Sequence, residues 1–451
     1  MRAIDEKKIQ GEERRGLPQG SPPIHITTPA PTGRGRGSRW WTLVLVPLVA
    51  LMVMLNGDLN RLALSVPHRP PASVPLNEAM AQLPMNALQV DALAHLPDYM
   101  QYKQLAGMYV SHLSLDEKLG QLFMVQSYDQ FYSPSLEYMV NNLHAGGVIM
   151  YAFQMQTLDQ TKHDIAAMKQ HASIPLIISA DEEGGFVERI QNIFGHHPGA
   201  LEIYDTGNVN LATQAGNRIA HDLQILGINA DLAPDVDVQL VDGPDQYLRT
   251  WGYTPESVIT YGGAYLRAVQ GDGEIACLKH FPGLGAAQTD AHFALPVIKR
   301  TKDQIYSTEL VPFKHFIQSS NPLENPGMIM DTDLLMPAID PVYPAELSPT
   351  IINGILRNQF GYDGVVITDA LWMTGIAQKW NLEQAGVMAL QAGNDMLLGA
   401  IGPYQMQSMI DAIKAALQDG SLTMARINQA VTRIIALKMQ YHLIPVTFSQ
   451  R

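Results

Sequence analysis

Residues 275–292 read Ile-Ala-Cys-Leu-Lys-His-Phe-Pro-Gly-Leu-Gly-Ala-Ala-Gln-Thr-Asp-Ala-His, and this stretch decides the fold. Its first four residues form an apolar run that is typical of a buried strand. The run ends in Lys279 and His280, and two glycines, Asp290 and His292 follow. An ordinary loop needs Gly and Pro but not clustered ionisable side chains, whereas α/β enzymes place such groups after buried strands. The stretch therefore predicts a functional loop at a strand end.

Similar apolar runs recur from residue 114 onward, and helical stretches separate them. Ser114-Leu115-Asp116-Glu117 is a capping-box sequence that predicts the start of a helix. Near-continuous apolar strands that alternate with helices favour a parallel sheet covered on both faces. Eight such units favour an α/β fold of the (β/α)₈ TIM-barrel type, and an open doubly wound sheet stays the alternative. The strands are predicted near residues 121–127, 146–152, 175–181, 228–234, 275–280, 327–331, 364–369 and 395–398.

Ionisable residues stand at the ends of several of these runs, where a barrel places its catalytic groups. Asp331 and Asp369 end the sixth and seventh runs. A carboxylate at the position of Asp369 could attack an electrophilic carbon or stabilise a cation, and a helix N-cap is the alternative. Lys279 and His280 could donate hydrogen bonds to a polar ligand or form a salt bridge at the edge of the core.

Asp290 and His292 are separated by one residue on the loop after the fifth run. A carboxylate beside an imidazole can orient the ring and raise its basicity, which gives a proton shuttle near neutral pH. The alternative is an ordinary pair on a surface loop. The sequence therefore offers one candidate nucleophile and one candidate acid/base, far apart along the chain.

Three consecutive acids, Asp181-Glu182-Glu183, precede Gly184-Gly185 after the third run. Glycines allow close backbone approach, so Asp181 could accept hydrogen bonds from sugar hydroxyls, and Arg189 could return to the same rim. Three acids could also bind a hard cation, but no complementary ligand spacing accompanies them, and we expect neither a metal nor a cofactor. The His196-His197 pair lacks a third ligand at known spacing, and we expect a solvated loop there.

Composition narrows the choice of partners and of compartment. The 451 residues carry a net charge of −13, and residues 1–39 hold eight Lys/Arg against four Asp/Glu, so the remainder bears about −17. Such an acidic body argues against nucleic acid as a partner, because phosphate binding needs clustered cations. One cysteine allows neither an internal disulfide nor a Cys-based metal site.

The N-terminal part of the sequence predicts the location of the protein in the cell. Residues 40–55 are uncharged and apolar and follow Arg34, Arg36 and Arg39, so we predict a signal anchor with the body outside the cytoplasm. A cleaved signal peptide, which would release the protein, and a buried helix are the alternatives. Residues 1–39 are predicted to be a disordered basic cytoplasmic tail, and residues 56–110 a Pro-rich tether with a helical lead-in.

The motifs together resemble glycoside hydrolase family 3, in particular its β-N-acetylglucosaminidase branch. That branch carries Lys-His-Phe/Ile-Pro-Gly-His/Leu-Gly, four residues and then Asp-Ser/Thr-His, which residues 279–292 match except at Ala291. Phe186 replaces the usual first Arg of a second motif, and Ala286 stands where Asp or Asn is common. None of these departures removes a proposed chemical group. Further similar segments are 146–149, 181–189, 232–238, 249–252 and 368–373.

The resemblance implies a single TIM-barrel catalytic domain over residues 111–445, because only about a dozen residues follow the last predicted helix. It implies that Asp369 forms a covalent glycosyl-enzyme, and that His292, paired with Asp290, protonates the leaving oxygen and then activates water. It also implies residues that hold the terminal N-acetylglucosamine (GlcNAc): Asp181, Arg189, Arg249, Lys279 and His280.

The expected activity is an exo-acting, retaining β-N-acetylglucosaminidase that removes terminal GlcNAc from peptidoglycan fragments or chitin-type oligosaccharides. A β-glucosidase specificity, a phosphorolytic variant and a non-catalytic glycan-binding barrel are the alternatives. The expected partners are a small oligosaccharide and, through the N-terminal segment, a membrane. The sequence does not indicate an oligomeric state.

Overall fold

The computed structural model describes residues 98–244 and 248–446. The predicted basic tail and signal anchor, and the predicted tether up to residue 97, lie outside the described residues. Across the two described ranges, no helix is both long and apolar enough to span a bilayer. The first described helix, α1 (Asp98–His112), falls within the segment predicted as a helical lead-in.

Eight parallel strands close into a barrel in chain order, with each strand hydrogen-bonded to the next and the last to the first. The predicted barrel is therefore confirmed, and the open doubly wound sheet is excluded. Each predicted run overlaps one strand, although the fourth strand has only two residues and the fifth, seventh and eighth extend one to three residues beyond the predicted ends. The strands are β1 (Phe123–Gln126), β2 (Gly147–Met150), β3 (Ile177–Ala180), β4 (Ala230–Asp231), β5 (Ile275–Phe281), β6 (Met328–Asp331), β7 (Val365–Ala370) and β8 (Met396–Ile401).

Helices surround the barrel and connect successive strands. Ser114 opens α2 as predicted, because its hydroxyl accepts from the Glu117 N–H at 3.2 Å and Glu117 accepts from the Ser114 N–H at 2.8 Å. After α1, the helices are α2 (Leu115–Gln121), α3 (Pro134–Glu137), α4 (Leu158–His171), α5 (Gln191–Phe194), α6 (Ala200–Asp205), α7 (Val209–Leu226), α8 (Pro255–Gly271), α9 (Lys302–Ser307), α10 (Leu310–Ile317), α11 (Thr374–Ala377), α12 (Leu382–Ala392), α13 (Pro403–Asp419) and α14 (Met424–Gln440). Two π-helical segments, Tyr138–Asn142 and Thr350–Gln359, and two 3₁₀ turns, Ala152–Gln154 and Ala345–Leu347, complete the connections.

The strands are mostly apolar because both of their faces are covered, and their ionisable residues lie near their carboxyl ends. All seven residues of β5 are buried, and so are all residues of β7 except Asp369, which is partly exposed. Burial of apolar surface on this scale is the main stabilising contribution to such a fold. Since the strands are parallel, their carboxyl ends lie together at one mouth of the barrel. The polar residues that follow the apolar runs therefore gather there.

Candidate active site

The mouth of the barrel collects ionisable side chains from three alternate strands. Asp181 directly follows β3, Lys279 and His280 lie near the end of β5, and Asp369 lies near the end of β7. Apolar runs place these residues at the mouth, because each strand is buried up to the point where the polar residue occurs. The residues predicted at strand ends are thus at one rim in the structure.

Lys279 is the centre of a buried charge network at this rim. Its Nζ lies 2.7 Å from Asp181 Oδ1 and 2.7 Å from Glu183 Oε1. Burial lowers the pKa of Lys279, but the two carboxylates outweigh it and hold that pKa above its usual range. Burial raises the pKa of Asp181, but the positive charges of Lys279 and Arg189 outweigh this effect and lower that pKa overall. The pair is therefore charged, and charge-assisted bonds of this kind fix side chains firmly.

Arg249 joins this network from the loop after β4. Its Nε and Nη2 atoms donate to the two oxygens of Glu183 at 2.9 and 2.8 Å, which is a bidentate contact. Burial raises the pKa of Glu183, yet Arg249 and Lys279 overcome that effect and the net shift is downward. Glu183 thereby fixes the positions of two cations that the sequence predicted as substrate-binding groups.

His280 is held between a cation and a carboxylate. Its Nδ1 lies 2.9 Å from Asp237 Oδ2, and Arg249 Nη2 lies 3.2 Å from its Nε2. Burial and the positive charge of Arg249 lower the pKa of His280. A neutral ring that donates from Nδ1 to Asp237 and accepts at Nε2 from Arg249 satisfies both contacts.

The loop after β5 approaches the loop after β4 through a glycine. A Cβ at Gly285 would lie 1.8 Å from the carbonyl oxygen of Val238, so no other residue fits without a backbone shift. The Gly285 carbonyl accepts from the Leu240 N–H at 2.8 Å. The loop after β4, which carries Arg249, is therefore locked to the loop that follows His280 and the end of β5.

The loop after β3 is fixed by a buried histidine, which corrects one expectation. His196 is half exposed, as expected, but His197 is buried, with Nε2 at 3.0 Å from Asp222 Oδ2 and Nδ1 at 3.1 Å from Glu182 Oε1. Burial lowers the pKa of His197, but these two carboxylates raise it overall. Sequence reasoning missed this because Asp222 lies on α7 and only the fold brings it to the loop.

Arg189 lies on this same loop. Its backbone N–H donates to Glu182 Oε2 at 2.6 Å, and its Nη2 lies 3.9 Å from Asp181 Oδ2. The structure thus returns Arg189 to the rim beside Asp181, as the sequence predicted.

Asp369 is oriented by two hydrogen bonds. Its Oδ2 accepts from the Thr332 hydroxyl at 3.1 Å, and its Oδ1 accepts from the Ala370 N–H at 2.7 Å. Asp331, the ionisable end of β6, is fully buried, and burial followed by the charge of Asp369 raises its pKa well above the usual range. Thr332 and not Asp331 therefore supports the candidate nucleophile.

Tyr151 follows β2 at the same mouth of the barrel. Burial raises the pKa of its hydroxyl, and the negative charges of Asp181 and Asp369 raise it further. Both carboxylates therefore lie close enough to act on one side chain.

The loop with Asp290 and His292 lies on the same side of the barrel as Asp369. His292 Nδ1 lies 2.8 Å from Asp290 Oδ1, which also accepts from the His292 backbone N–H at 2.8 Å. The Ala291 carbonyl accepts from the N–H of Gly375, six residues after Asp369, at 3.3 Å. The imidazole is 56% exposed, so its Nε2 is accessible to a ligand at the mouth. The predicted pair exists, and its loop contacts the segment that follows the predicted nucleophile.

Comparison with known proteins agrees with this geometry. Residues 114–437 match the family described as the glycosyl hydrolase family 3 N terminal domain. The chain belongs to glycoside hydrolase family 3.

Relatives in this family carry hexosaminidase names. The chain is 30% identical to beta-hexosaminidase A of Pseudoalteromonas piscicida over 68% of its own length and 55% of that protein. It is 31% identical to beta-hexosaminidase LpqI of Mycobacterium tuberculosis over 72% of its length and 83% of that protein. The solved family 3 β-N-acetylglucosaminidase of Paenibacillus sp. str. FPU-7 superposes with a TM-score of 0.70 at 33% identity, over 73% of this chain and 63% of that one. The chain thus spans little more than half of the first of these relatives.

Three residues of this family 3 site were not assigned a role from the sequence. Glu183 binds Lys279 and Arg249, Asp237 orients His280, and Thr332 donates to Asp369. Glu183 and Asp237 lie in motifs that the sequence analysis had already noted, so a signal for them was present. A lone threonine after a strand carries no such signal, because its role depends on a contact with the neighbouring strand.

Among the residues that the structure describes, two clusters have the residue types of a metal site, Glu182–Glu188–His197 and Asp235–Asp237–His280. In the first, an imidazolium between Glu182 and Asp222 accounts for the observed distances. In the second, the Arg249 guanidinium is 3.2 Å from His280 Nε2 and 4.0 Å from Asp235 Oδ2, so a cation is already present. Both clusters are explained by pairing among the protein's own charges.

Proposed function

We propose that this protein is an exo-acting, retaining β-N-acetylglucosaminidase. The observation that carries the proposal is the meeting of two segments at the barrel mouth. Asp369 projects from the end of β7 with both oxygens oriented by donors, and the Asp290–His292 loop is bonded through Ala291 to the backbone just beyond it. A carboxylate and a proton-transferring group beside one ligand are what a retaining glycosidase requires.

In the first step, an Asp369 oxygen attacks the anomeric carbon of the terminal sugar while the glycosidic C–O bond breaks. His292 gives its Nε2 proton to the departing oxygen, which leaves as an alcohol. Asp290, which accepts from Nδ1, holds the ring in the orientation that presents Nε2 to the sugar. The product of this step is a covalent glycosyl-enzyme.

In the second step, His292 takes a proton from a water molecule whose oxygen attacks the same carbon. The bond to Asp369 breaks and the carboxylate is regenerated. Two displacements at one carbon restore the original configuration, so the released GlcNAc is the β-anomer. The sum of the two steps is the addition of one water molecule across the glycosidic bond.

We assign the charge network at the mouth to binding of the terminal sugar. Asp181 is ionised and accepts from hydroxyl groups, while Arg189 and Lys279 donate to sugar oxygens. Arg249 is immobilised by Glu183 and presents donors at fixed positions, while His280, held by Asp237, accepts from Arg249 and helps to fix its guanidinium group. Groups that are ordered before binding contribute more affinity than groups that must be ordered by the ligand.

The test is turnover of p-nitrophenyl β-GlcNAc with proton NMR of the released sugar. We expect rapid release of nitrophenol, and β-GlcNAc as the first anomer observed. Release from the β-glucoside should be much slower. An α-anomer formed first would contradict the retaining mechanism, and faster turnover of the glucoside would contradict the assigned specificity. If no glycoside were turned over, the result would support a non-catalytic glycan-binding protein instead.

The same reaction run in phosphate buffer distinguishes hydrolysis from phosphorolysis. An imidazole acid/base does not repel an incoming anion as a carboxylate would, so phosphate can compete with water at the second step. We propose hydrolysis, with free GlcNAc as the product at all phosphate concentrations. GlcNAc 1-phosphate that increases with phosphate would identify a phosphorylase instead.

We propose that residues 40–55 anchor the protein in the cell membrane with the barrel outside the cytoplasm. The support is the uncharged length of that segment and the preceding arginines. Full-length protein expressed in a bacterial host should fractionate with membranes and resist extraction by carbonate. Its barrel should be digested by protease added to spheroplasts. Recovery in the medium, with residues 1–55 missing by mass spectrometry, would indicate a cleaved signal peptide.

A further inference from the structure

Exposed aromatic side chains are concentrated at the mouth of the barrel. Among the described residues, seven of the eight loops that follow the strands carry at least one exposed aromatic side chain, and the exception is the loop after β8. Outside these loops, the described part of the chain exposes two large aromatic rings, Tyr138 and Tyr404, and Tyr404 lies in the first turn of α13, three residues after β8. Soluble proteins do expose scattered apolar residues, but a concentration at one face marks a contact surface. The mouth therefore contacts something that packs against aromatic rings.

Three of these aromatic residues flank the proposed catalytic and binding groups. Phe186 comes five residues after Asp181 and is 65% exposed, and Phe293 directly follows His292 and is 53% exposed. Trp372 comes three residues after Asp369 and is 37% exposed. We call Phe186, Phe293 and Trp372 the aromatic collar. Its members come from the loops after β3, β5 and β7, the same three alternate strands that supply the charged site.

The collar residues are held in place by their neighbours. The Trp372 indole N–H donates to Gln126 Oε1 on β1 at 3.1 Å. Phe186 lies in a tight turn, in which the Glu183 N–H donates to the Val187 carbonyl at 3.0 Å. The Phe293 N–H donates to the Asp290 carbonyl at 3.0 Å. Exposed rings on a fixed backbone bind with little loss of conformational entropy.

The charges around the collar favour an uncharged ligand. In the described parts of the eight loops, Lys299 and Lys379 are the only exposed lysine or arginine side chains. Arg189 and Arg249 face carboxylates within the sugar-binding network. An anionic ligand beyond the terminal sugar would therefore find little positive charge in an acidic protein. Aromatic rings, in contrast, pack well against the C–H faces of uncharged pyranose rings.

We propose that the aromatic collar is the binding site for the aglycone, and that it selects an uncharged chain of β-linked GlcNAc over a muramoyl fragment whose lactyl group carries an acidic peptide. This rests on the proposed function, because it assigns the substrate class of the same site. Phe186 stands where an arginine is usual in the motif that this segment resembles, and that exchange removes a cation from the collar. The collar thus acts as the element that determines specificity beyond the cleaved bond.

The experiment compares three substrates that share the terminal sugar. N,N′,N″-Triacetylchitotriose offers an uncharged aglycone, GlcNAc linked to N-acetylmuramoyl peptide offers an anionic one, and β-GlcNAc fluoride offers almost none. For the wild-type protein we expect a higher kcat/KM for chitotriose than for the muramoyl peptide. Phe186→Ala, Phe293→Ala and Trp372→Ala should each lower the ratio of the chitotriose value to the fluoride value by about three- to tenfold. The matched control is Tyr138→Ala, which should leave this ratio unchanged.

A variant that introduces a positive charge tests whether the collar discriminates against anionic aglycones. Phe186→Arg should raise kcat/KM for the muramoyl peptide relative to chitotriose. If the fluoride is hydrolysed but the collar variants keep the wild-type ratio, the collar assignment is wrong while the proposed function stands. If the wild-type protein does not hydrolyse the fluoride, the proposed glycosidase function is wrong, and the collar assignment, which rests on it, is wrong with it. Loss of sedimentation with phosphatidylcholine–phosphatidylglycerol vesicles in the collar variants, at an unchanged ratio, would overturn the proposal in favour of a membrane surface.

Discussion

The two ends of the barrel both hold dense networks of charge, but the carboxylate that pairs with several cations is partly exposed at the mouth and completely buried at the opposite end. At the opposite end, Asp395 precedes β8 and binds three guanidinium groups, from Arg357, Arg426 and Arg433. Its side chain is completely buried, whereas Asp181 at the mouth is 18% exposed and His292 is 56% exposed. The chemistry of pairing is the same at both ends, so access and not charge density distinguishes a site from a structural cluster.

The electrostatics of the two ends follow the same rule. Burial raises the pKa of Asp395, but the three arginines outweigh it and lower that pKa. Lys279 and Arg189 do the same for Asp181. A perturbed carboxylate is therefore not a sufficient sign of catalysis in this protein. The comparison predicts that changes at the mouth alter turnover, and changes at the opposite end alter stability.

The largest effect should follow from Asp369→Ala at the mouth. Loss of the proposed nucleophile should reduce kcat for p-nitrophenyl β-GlcNAc by at least about a thousandfold, because no covalent intermediate forms. Stability should fall by no more than about 1–3 kcal/mol, since Asp369 is partly exposed and its carboxylate accepts two hydrogen bonds, from the Thr332 hydroxyl and the Ala370 N–H. Turnover is measured by nitrophenol release, and folding by circular dichroism and urea unfolding.

Asp129→Ala is the matched control for this change, because Asp129 is an exposed acid on another loop of the same mouth. It should retain most of the wild-type kcat. Normal turnover by Asp369→Ala would mean that another group makes the covalent bond. It would also contradict the expectation that changes at the mouth alter turnover.

His292→Ala should produce the next largest effect. Removal of a general acid/base costs about 10²–10⁴ in rate, and the loss should be larger for an oligosaccharide than for a substrate with a nitrophenol leaving group. Added azide should restore nitrophenol release, because it attacks the glycosyl-enzyme without base assistance, and β-GlcNAc azide should appear as the product. Asp290→Asn should show a smaller loss with the same dependence on the leaving group. A uniform loss that azide does not relieve would assign His292 to structure.

Asp395→Asn tests the other end of the barrel. The substitution removes the charge that three buried guanidinium groups share, and breaking a buried ion pair of this kind costs about 3–5 kcal/mol of unfolding free energy. Urea unfolding measures the change, and kcat per folded molecule should stay near the wild-type value. Asp411→Asn on the exposed face of α13 is the control and should shift the midpoint little. A stable but inactive Asp395→Asn protein would contradict the division between the two ends.

The sequence was sufficient for features that depend on local patterns. Apolar runs predicted all eight strands, because a strand buried on both faces has to be apolar throughout. Asp181, Lys279 and Asp369 were found because each follows such a run directly. Features that depend on contacts between distant segments were not found in this way. His197 pairs with Asp222 on α7, and Thr332, just after β6, donates to Asp369 on β7. Neither contact can be predicted from the local sequence, because only the fold brings the two residues together.

The smallest effect concerns Lys438, a buried lysine of α14 near the start of β1. Its Nζ donates to Gln121 Oε1 at 2.6 Å, and burial lowers its pKa from 10.5 to about 7. Between these values the unfolded chain binds a proton that the folded protein does not. The contribution of Lys438 to the unfolding free energy therefore increases with pH from about 7 to 10.5, by about 1.4 kcal/mol per pH unit.

Lys438→Met removes this pH dependence. The unfolding free energy of the wild type minus that of the variant should therefore increase from pH 8 to pH 10. Measurement above pH 8 avoids Glu274, whose pKa burial raises to about 8 and whose contribution has the opposite slope. Lys414→Met is the control, because this lysine is one-third exposed and lies 2.8 Å from Asp116. Since Lys438 lies away from the mouth, kcat should not follow the change in stability, and a parallel loss of kcat would show that the two ends are coupled.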